Sequence, residues 1–594
     1  MKNEKFYCSK LKLLVIVVTA ICSLHLVNAQ SNVTLNVDYN VQLIPATMER
    51  GYLLEAAIDK DDPGFTGKIN QMKDLGCKLV TLPRDLNQYN RNWPTDGKYY
   101  LSYRSKGGSH FGADGQPEEF KANASGGIDV NLNNDFLGIC QMANNNGLRM
   151  IIQMSGTPVE GKNNGNVHQL FDLDPNRIFH ESARFYAYPA ANEYDNVANV
   201  LGDWMQQIQS GTGATDIIWA GQQEPSHTPG YPGGVQTNEG SKNNAIDYPK
   251  VWKPIAKKVK DLGLGATAGV QLNQSPKEHA DAIKALSENN VPLNFYSVQM
   301  YRSQDNPEIL DLVISNLDKY PHTAGKRIVF NRYDTYRRKD DPLRTEFEDK
   351  AVRYNSAKGL VRFLEDELVL LDHADRMLGY TLFKGALGMP MMDEVMKFLT
   401  SMPTKRRQVT GLGSGLDGWV TATGNEMFMV LFNTSNGTKN VTVNLQNFPN
   451  KYNTHQMYAR RGNGAGLGNY NAPTWNAGSN GSISNITVKK DQFILILINA
   501  GGTSTARLAD DSFIEQSLGD SEISIYPNPV RDRLEISSLE SIHEMVIYDM
   551  YGRVVHSAEM AGPVIDLSHL KGGMYFIHFS APGGAGHTYK FIKE

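Results

Sequence analysis

The sequence predicts an α/β chain: a parallel (β/α)8 TIM barrel followed by an all-β sandwich and a small C-terminal β-sandwich. Three observations carry that fold class. Between about residues 48 and 400, short apolar runs alternate with helical periodicity eight times, the mark of parallel strands joined by crossover helices. From 405 to 500 the helical pattern stops, and short strands alternate with Asn- and Gly-rich turns. After a polar Gly/Ser/Thr/Asp linker at 501–520, a second set of short strands begins. A doubly wound open sheet is the competing arrangement for the first segment.

The chain opens on an export signal. Lys2, Lys5, Lys10 and Lys12 precede an apolar run at 13–22, and Val27-Asn28-Ala29 then leads to Gln30. This is the pattern of a secretory signal peptide cleaved after Ala29. Cys22 does not read as a lipid anchor, because the bulky Ile21 precedes it. No later run is long and apolar enough to span a membrane as a helix. The expected divisions are signal peptide 1–29, barrel 30–404, sandwich 405–500, linker 501–520 and C-terminal domain 521–594. Residues 31–44 alternate apolar and polar side chains and form a strand, either opening the barrel or pairing with the later sandwich.

The barrel strands are expected at 51–58, 78–82, 149–154, 216–220, 266–272, 293–300, 327–330 and 377–383, with helices at 68–75, 134–145, 195–209 and 345–367 between them. A long loop rich in Tyr, Trp, Gly and Asn follows strand two. The net charge of -4 over 594 residues excludes a dedicated nucleic-acid binder. No His/Cys/Asp cluster has zinc spacing and no Gly-rich loop suits a nucleotide, so neither metal nor cofactor is expected. Cys8 and Cys22 leave with the signal, and Cys77 and Cys140 fall in core regions as buried free thiols.

The stretch Asp216-Ile217-Ile218-Trp219-Ala220-Gly221-Gln222-Gln223-Glu224-Pro225 carries the chemistry. It reads as a buried strand that delivers Glu224 to the C-terminal mouth of the barrel, where reactions on this fold occur. A carboxyl group set among aromatics is what a glycosidase needs as general acid. Trp93, Tyr99, Tyr100 and Tyr103 after strand two, His227 and Tyr231 after Glu224, and Tyr333 and Tyr336 after strand seven offer ring faces for sugar C–H groups. Arg332, Arg337, Arg338 and Lys339 make the loop after strand seven basic, which suits a sulfated polymer or a solvated loop paired with Asp340 and Asp341.

Two family resemblances follow. Tyr526-Pro527-Asn528-Pro529, Ile547-Tyr548-Asp549-Met550-Tyr551-Gly552-Arg553, Asp566-Leu567-Ser568, Gly573-Met574-Tyr575 and the closing Lys590-Phe591-Ile592-Lys593 resemble the type A C-terminal sorting domain of the type IX secretion system. That resemblance implies a Bacteroidetes source, passage through the secretion machinery, and release or attachment at the cell surface. Gln223-Glu224-Pro225 at strand four, Arg84 at the end of strand two and Tyr301 at the end of strand six resemble the clan A glycoside hydrolases, and the barrel-plus-sandwich layout resembles their β-agarase and β-porphyranase family. It implies Glu224 as acid/base, Gln223 on a sugar hydroxyl, and a nucleophilic Glu at the end of strand seven. Here Asn331 stands in that place. Three readings stand: Asp334 supplies the carboxylate if the strand end bulges; a carboxylate from another strand end, such as Glu55, Asp59, Asp85 or Asp305, does so; or the barrel only binds glycan. The expectation is a secreted endo-acting glycoside hydrolase on an agar- or porphyran-like polysaccharide, with a surface glycan-binding protein as the alternative.

Overall fold

In the computed structural model the described residues run from 31 to 594, apart from 55–62, 86–89, 92–98, 101–119, 156–159, 222–239, 270–275, 302–305, 335–348, 500–524 and several shorter stretches. They fall into two compact units, Met1–Asp510 and Asp511–Glu594.

Eight parallel strands close the barrel, in chain order Glu49–Leu53, Leu79–Asp85, Arg149–Ser155, Ile218–Ala220, Ala266–Ala268, Phe295–Tyr301, Arg327–Asp334 and Met377–Leu382. These are the eight expected strands with shifted ends. Side chains alternate along a strand, so every second residue enters the interior. Leu79, Ile151, Ile218, Val329 and Leu378 make an apolar lower layer. One step toward the strand ends the interior turns polar, with Thr81, Gln153, Ser297, Asn331 and Thr381 all buried. Strand one contributes almost no volume there. A Cβ on Gly51 would stand 1.7 Å from the Leu79 carbonyl oxygen. That gap lets the Thr81 and Thr381 hydroxyls, on either side of strand one, meet at 2.8 Å. At the opposite rim, Arg149 reaches Glu49 at 2.7 Å and Asp216 at 2.5 Å, tying strands three, one and four at the face where barrels place stability rather than chemistry.

The expected helix 345–367 is two helices, Lys350–Tyr354 and Ala357–Asp372. Ser356 breaks it by capping the second helix, its Oγ accepting from Gly359 N at 3.1 Å. This second helix is the keystone between barrel and sheet. Glu367, fully buried, accepts from Arg50 Nε at 2.9 Å and Nη2 at 2.5 Å through Oε1, and from the Tyr380 hydroxyl at 2.6 Å through Oε2. Burial alone would lower the Arg50 pKa, but Glu367 and Tyr380 outweigh it and hold the guanidinium above its ordinary value. Burial and then Glu367 push the Tyr380 phenol well up, so it remains a donor. At the helix end, Arg406 donates to Leu371 O at 2.7 Å and pairs with Asp372 at 2.8 Å, placing a cation on the negative end of the helix dipole.

The sandwich is one ten-stranded sheet curled around its own core. Its strands Glu426–Asn433 and Gln492–Asn499 read as unbroken apolar runs because both faces are covered: Met427, Met429 and Leu431 enter the sheet core, while Phe428 meets Phe398 of the barrel helix Pro390–Thr400 with ring centroids 5.1 Å apart. Strand Lys439–Gln446 alternates buried and part-exposed residues, as one covered face requires. The expected barrel boundary at residue 30 is corrected here. Strand Ser31–Gln42 lies inside the sheet, antiparallel to Arg406–Thr410 and parallel to Lys439–Gln446, because Leu35 and Val37 find their apolar partners in that core.

The second unit holds a three-stranded and a four-stranded sheet around Val530, Leu534, Ile547, Leu567, Ile577 and Phe591. Cys77 and Cys140 are buried and free, and burial pushes the Cys77 thiol far up.

Arg50→Met should leave the Glu367 carboxylate buried beside an apolar neighbour and cost about 3–5 kcal/mol, read as a lower Tm; an unchanged melt would remove the keystone role. A second expectation concerns pH. His279 is fully buried against the Tyr296 hydroxyl at 2.9 Å, and burial lowers its pKa to about 4. Its unfolded form takes a proton near about 6.5. The stabilisation is therefore whole above that value and lost as pH falls toward about 4. Asp393, raised to about 6 by burial, leans the other way. Chemical denaturation of His279→Gln across this window should show a flatter loss of stability on acidification than the parent chain.

Candidate active site

Strand ends decide what a barrel can do, so the site is built strand by strand. Strand four is short and entirely buried. Trp219 points outward, its Nε1–H donating to Leu264 O at 2.7 Å and its ring meeting Trp204 edge-on at 5.9 Å. Ile218 and Ala220 point inward. Strand five closes on it through Gly265, where φ is +111° and a Cβ would stand 2.4 Å from Ile217 O. The same carbonyl accepts from Ala266 N at 2.8 Å. Strand four thus leads to the segment of the chain that carries Gln223, Glu224 and His227. These three lie outside the described residues, as do Trp93, Glu55, Asp59 and Asp305. Arg84 and Tyr301 occupy the last turns of strands two and six in backbone position, as expected; their side chains, with those of Asp85 and Arg332, are likewise outside the described set.

Strand seven holds the feature that alters the site. Phe330 stands opposite Val298 and Arg332 opposite Gln299, so Asn331 is an extra residue in the strand, a β-bulge. The strand continues to Asp334 rather than ending at 330. One inserted residue reverses the in–out phase of everything after it. Tyr333 consequently turns outward. It is fully buried, its hydroxyl donates to Asp366 Oδ2 at 2.7 Å, and its ring packs against Phe363 and Tyr380. It is not a wall of the cleft, contrary to the sequence expectation. Asp334 falls on the other side, in register with Tyr301.

Asp334 is 2% exposed. Arg353 Nη1 donates to both its oxygens, at 3.0 and 3.1 Å, and the Tyr354 hydroxyl donates to Oδ1 at 2.5 Å. Both donors come from the short helix Lys350–Tyr354, started by Asp349, whose Oδ1 accepts from Ala351 N at 2.8 Å. Sequence reading missed these two partners. The only local signal was an Arg-Tyr pair behind an Asp cap, which is too common to single out.

Asn331 itself sits in the polar interior layer. Thr381 Oγ1 donates to Asn331 O at 2.8 Å. A hydroxyl has one proton, so Thr81 must donate to Thr381. The Asn331 side-chain amide is fully buried, and neither Nδ2 nor Oδ1 has a partner among the described residues; the same holds for Ser297 Oγ. Among the described residues no group of three or more His, Cys, Asp or Glu is placed to hold a metal.

Comparison with known proteins fits this architecture. Residues 524–594 match the family model for a secretion system C-terminal sorting domain, which directs a chain to secretion and the cell surface. No curated protein matches the sequence. Among solved structures the chain is similar to a GH39 enzyme from Xanthomonas axonopodis pv. citri, with 9% identity, a TM-score of 0.52, and coverage of 79% of this chain and 98% of that one. It is also similar to a monomeric beta-xylosidase from Caulobacter crescentus CB15, with 9% identity, a TM-score of 0.51, and coverage of 78% and 99%. At that identity the likeness is one of fold: a TIM barrel with an attached β-domain.

Asn331→Leu keeps the volume and removes a buried amide without partners, so thermal melts should show stabilisation of about 1–3 kcal/mol. A lower Tm would mean that the amide is satisfied in solution.

Proposed function

We propose that the chain is a secreted, endo-acting glycoside hydrolase, with Glu224 as general acid/base and Asp334 as the partner carboxylate. The observation that carries this reading is the strand-seven bulge. It gives Asn331 to the buried layer and turns Asp334 away from the side taken by Tyr333, at the level of the strand where its backbone pairs with Tyr301. In a retaining reaction the Glu224 carboxyl proton goes to the glycosidic oxygen while an Asp334 oxygen bonds the anomeric carbon and the leaving sugar departs. Glu224, now a carboxylate, takes a proton from water, whose oxygen displaces Asp334. One water is consumed and both carboxyl groups return to their starting states. Arg353 and Tyr354 would fix the Asp334 geometry, with Oδ2, which accepts from Arg353 Nη1 at 3.1 Å, as the attacking atom. Gln223, Arg84, Trp93, His227, Tyr301 and Arg332 would bind the sugar. The fold likeness to a GH39 enzyme and to a beta-xylosidase supports the reaction class. The substrate in this proposal is an agar- or porphyran-like galactan, supported by the basic loop beginning at Arg332. Export through a cleaved signal peptide ending at Ala29 and the type IX machinery is part of the same reading.

One observation favours a second reading, a barrel that binds glycan without cleaving it. Asp334 is nearly inaccessible and both of its oxygens are occupied.

A panel of agar, porphyran and xylan, assayed for reducing ends, separates the two. Under the first reading one polymer is cleaved, and Glu224→Gln and Asp334→Asn each lower the rate by about 10²–10⁴-fold. Activity surviving Glu224→Gln removes that residue from the chemistry. Activity lost with Glu224→Gln but kept in Asp334→Asn moves the partner carboxylate to another strand end. Retention on a polymer with no product from it establishes the second reading.

A further inference from the structure

The outer face of the ten-stranded sheet divides into two chemistries. Where barrel helices cover it, the side chains are aromatic, with Phe428 on Phe398 and Trp419 beside Phe432. Around strand Ser31–Gln42 the same face carries amides and hydroxyls, and one carboxylate, Asp38, whose Oδ1 accepts from Asn447 Nδ2 at 2.9 Å. Strands Ser31–Gln42 and Lys439–Gln446 run parallel and in register, with Asn32 opposite Asn440, Thr34 opposite Thr442 and Asn36 opposite Asn444. The two segments repeat one motif, Asn-Val-Thr-Leu-Asn and Asn-Val-Thr-Val-Asn. Leu35, Val37, Val441, Val443 and Leu445 turn into the sheet core, so the six polar side chains turn away from it, each exposed or half-exposed.

The rungs are joined to each other. Asn440 Nδ2 donates to Asn32 Oδ1 at 3.3 Å, and Asn444 Nδ2 to Asn36 Oδ1 at 3.1 Å. Each bond consumes one donor and one acceptor of its pair. The Nδ2 groups of Asn32 and Asn36, the Oδ1 of Asn444 and the two Thr hydroxyls remain without a protein partner among the described residues. None of the six carries charge, although 21% of the chain is charged. Opposite charges paired across strands are one way to stabilise a solvated sheet face, and hydrogen-bonded polar pairs are another; this face uses the second. Here the groups repeat about 4.8 Å across the strands and about 6.6 Å along them. The four asparagine side chains are pre-aligned by their own hydrogen bonds, so little of their ordering entropy is lost on contact.

A surface of ordered amides and hydroxyls matches a ligand whose groups both donate and accept and carry no charge. Sugar hydroxyls fit, and docking them desolvates no ion. A sulfated chain would find no cation among the six. We propose that this Asn–Thr–Asn ladder is a binding platform for a neutral polysaccharide, separate from the barrel mouth.

Native affinity electrophoresis of the full chain in gels containing agarose, xylan or the sulfated polymer carrageenan tests it. The chain should be retarded by at least one neutral polymer. Thr34→Val with Thr442→Val keeps strand propensity and shape while removing both hydroxyls; it should weaken that retardation about ten-fold at unchanged Tm. Asn36→Ser with Asn444→Ser should do the same, which covers the case in which either pair misfolds. Retardation by carrageenan alone, by no neutral polymer, or equally for parent and both variants overturns the proposal. A fall in Tm with retardation intact does so as well, since the ladder would then serve only strand register. Reducing-end release is scored separately: a chain retarded through the ladder that cleaves nothing retains the platform and loses the proposed reaction.

Discussion

The Glu367 carboxylate has no water to turn to, and much of the first unit is arranged around that fact. A buried charge is tolerated only when its lone pairs are filled. Strand one fills them with Arg50, and strand eight with Tyr380. The helix that carries Glu367 is thereby fixed against the seam where the barrel closes. Asp366, its neighbour, holds Tyr333 of strand seven, and the end of the helix is held by Arg406 from the sheet. One helix thus sets the positions of strands one, seven and eight and of the attached domain. Each of these polar contacts can be made in one register of the helix only.

That fixed helix explains how strand seven can hold a bulge. The outward turn of Tyr333 is useful only because Asp366 waits there, and the phase change frees Asp334 to face Arg353 and Tyr354. Bulges near barrel rims re-aim side chains. Here the re-aimed group is a carboxylate, and the inserted residue is an amide sealed into a polar interior layer. The apolar lower layer and the polar upper layer are separated by one step along each strand, which sets where apolar packing gives way to hydrogen bonding beneath the mouth.

Much of this was legible in the residues. Eight strands emerged because parallel strands are apolar throughout and their helices have a different period. The continuous apolar runs at 426–433 and 492–499 signalled two covered faces without saying what covered the second. The bulge was not fixed by the residues, only open as one of three readings: Asn331-Arg332-Tyr333-Asp334 contains no Gly or Pro to punctuate it, and the partner of Tyr333 lies in a helix more than thirty residues away. Nor was the placement of Tyr333, since an aromatic after a strand reads equally as wall or as packing. Strand Ser31–Gln42 was recognised as a strand, but its partner stayed open between barrel and sandwich, because parallel pairing across a separation of 408 residues leaves no local trace. The repeated Asn-Val-Thr motif was the trace available, and it is too short to stand out without the register.

The position of that strand has a kinetic meaning. Chains emerge N-terminus first, so Ser31–Gln42 leaves the ribosome long before either of its neighbours, Arg406–Thr410 and Lys439–Gln446, exists. It must remain unpaired while the whole barrel sequence is made. The strand can enter the sheet only after those neighbours have been made, a non-local step of the kind that slows folding. An amide- and hydroxyl-bearing strand is well suited to that wait, since its outward face gives a stray apolar edge little to stick to. The first strand made is therefore paired only late, and its entry into the sheet reports that the whole of the intervening chain has been synthesised.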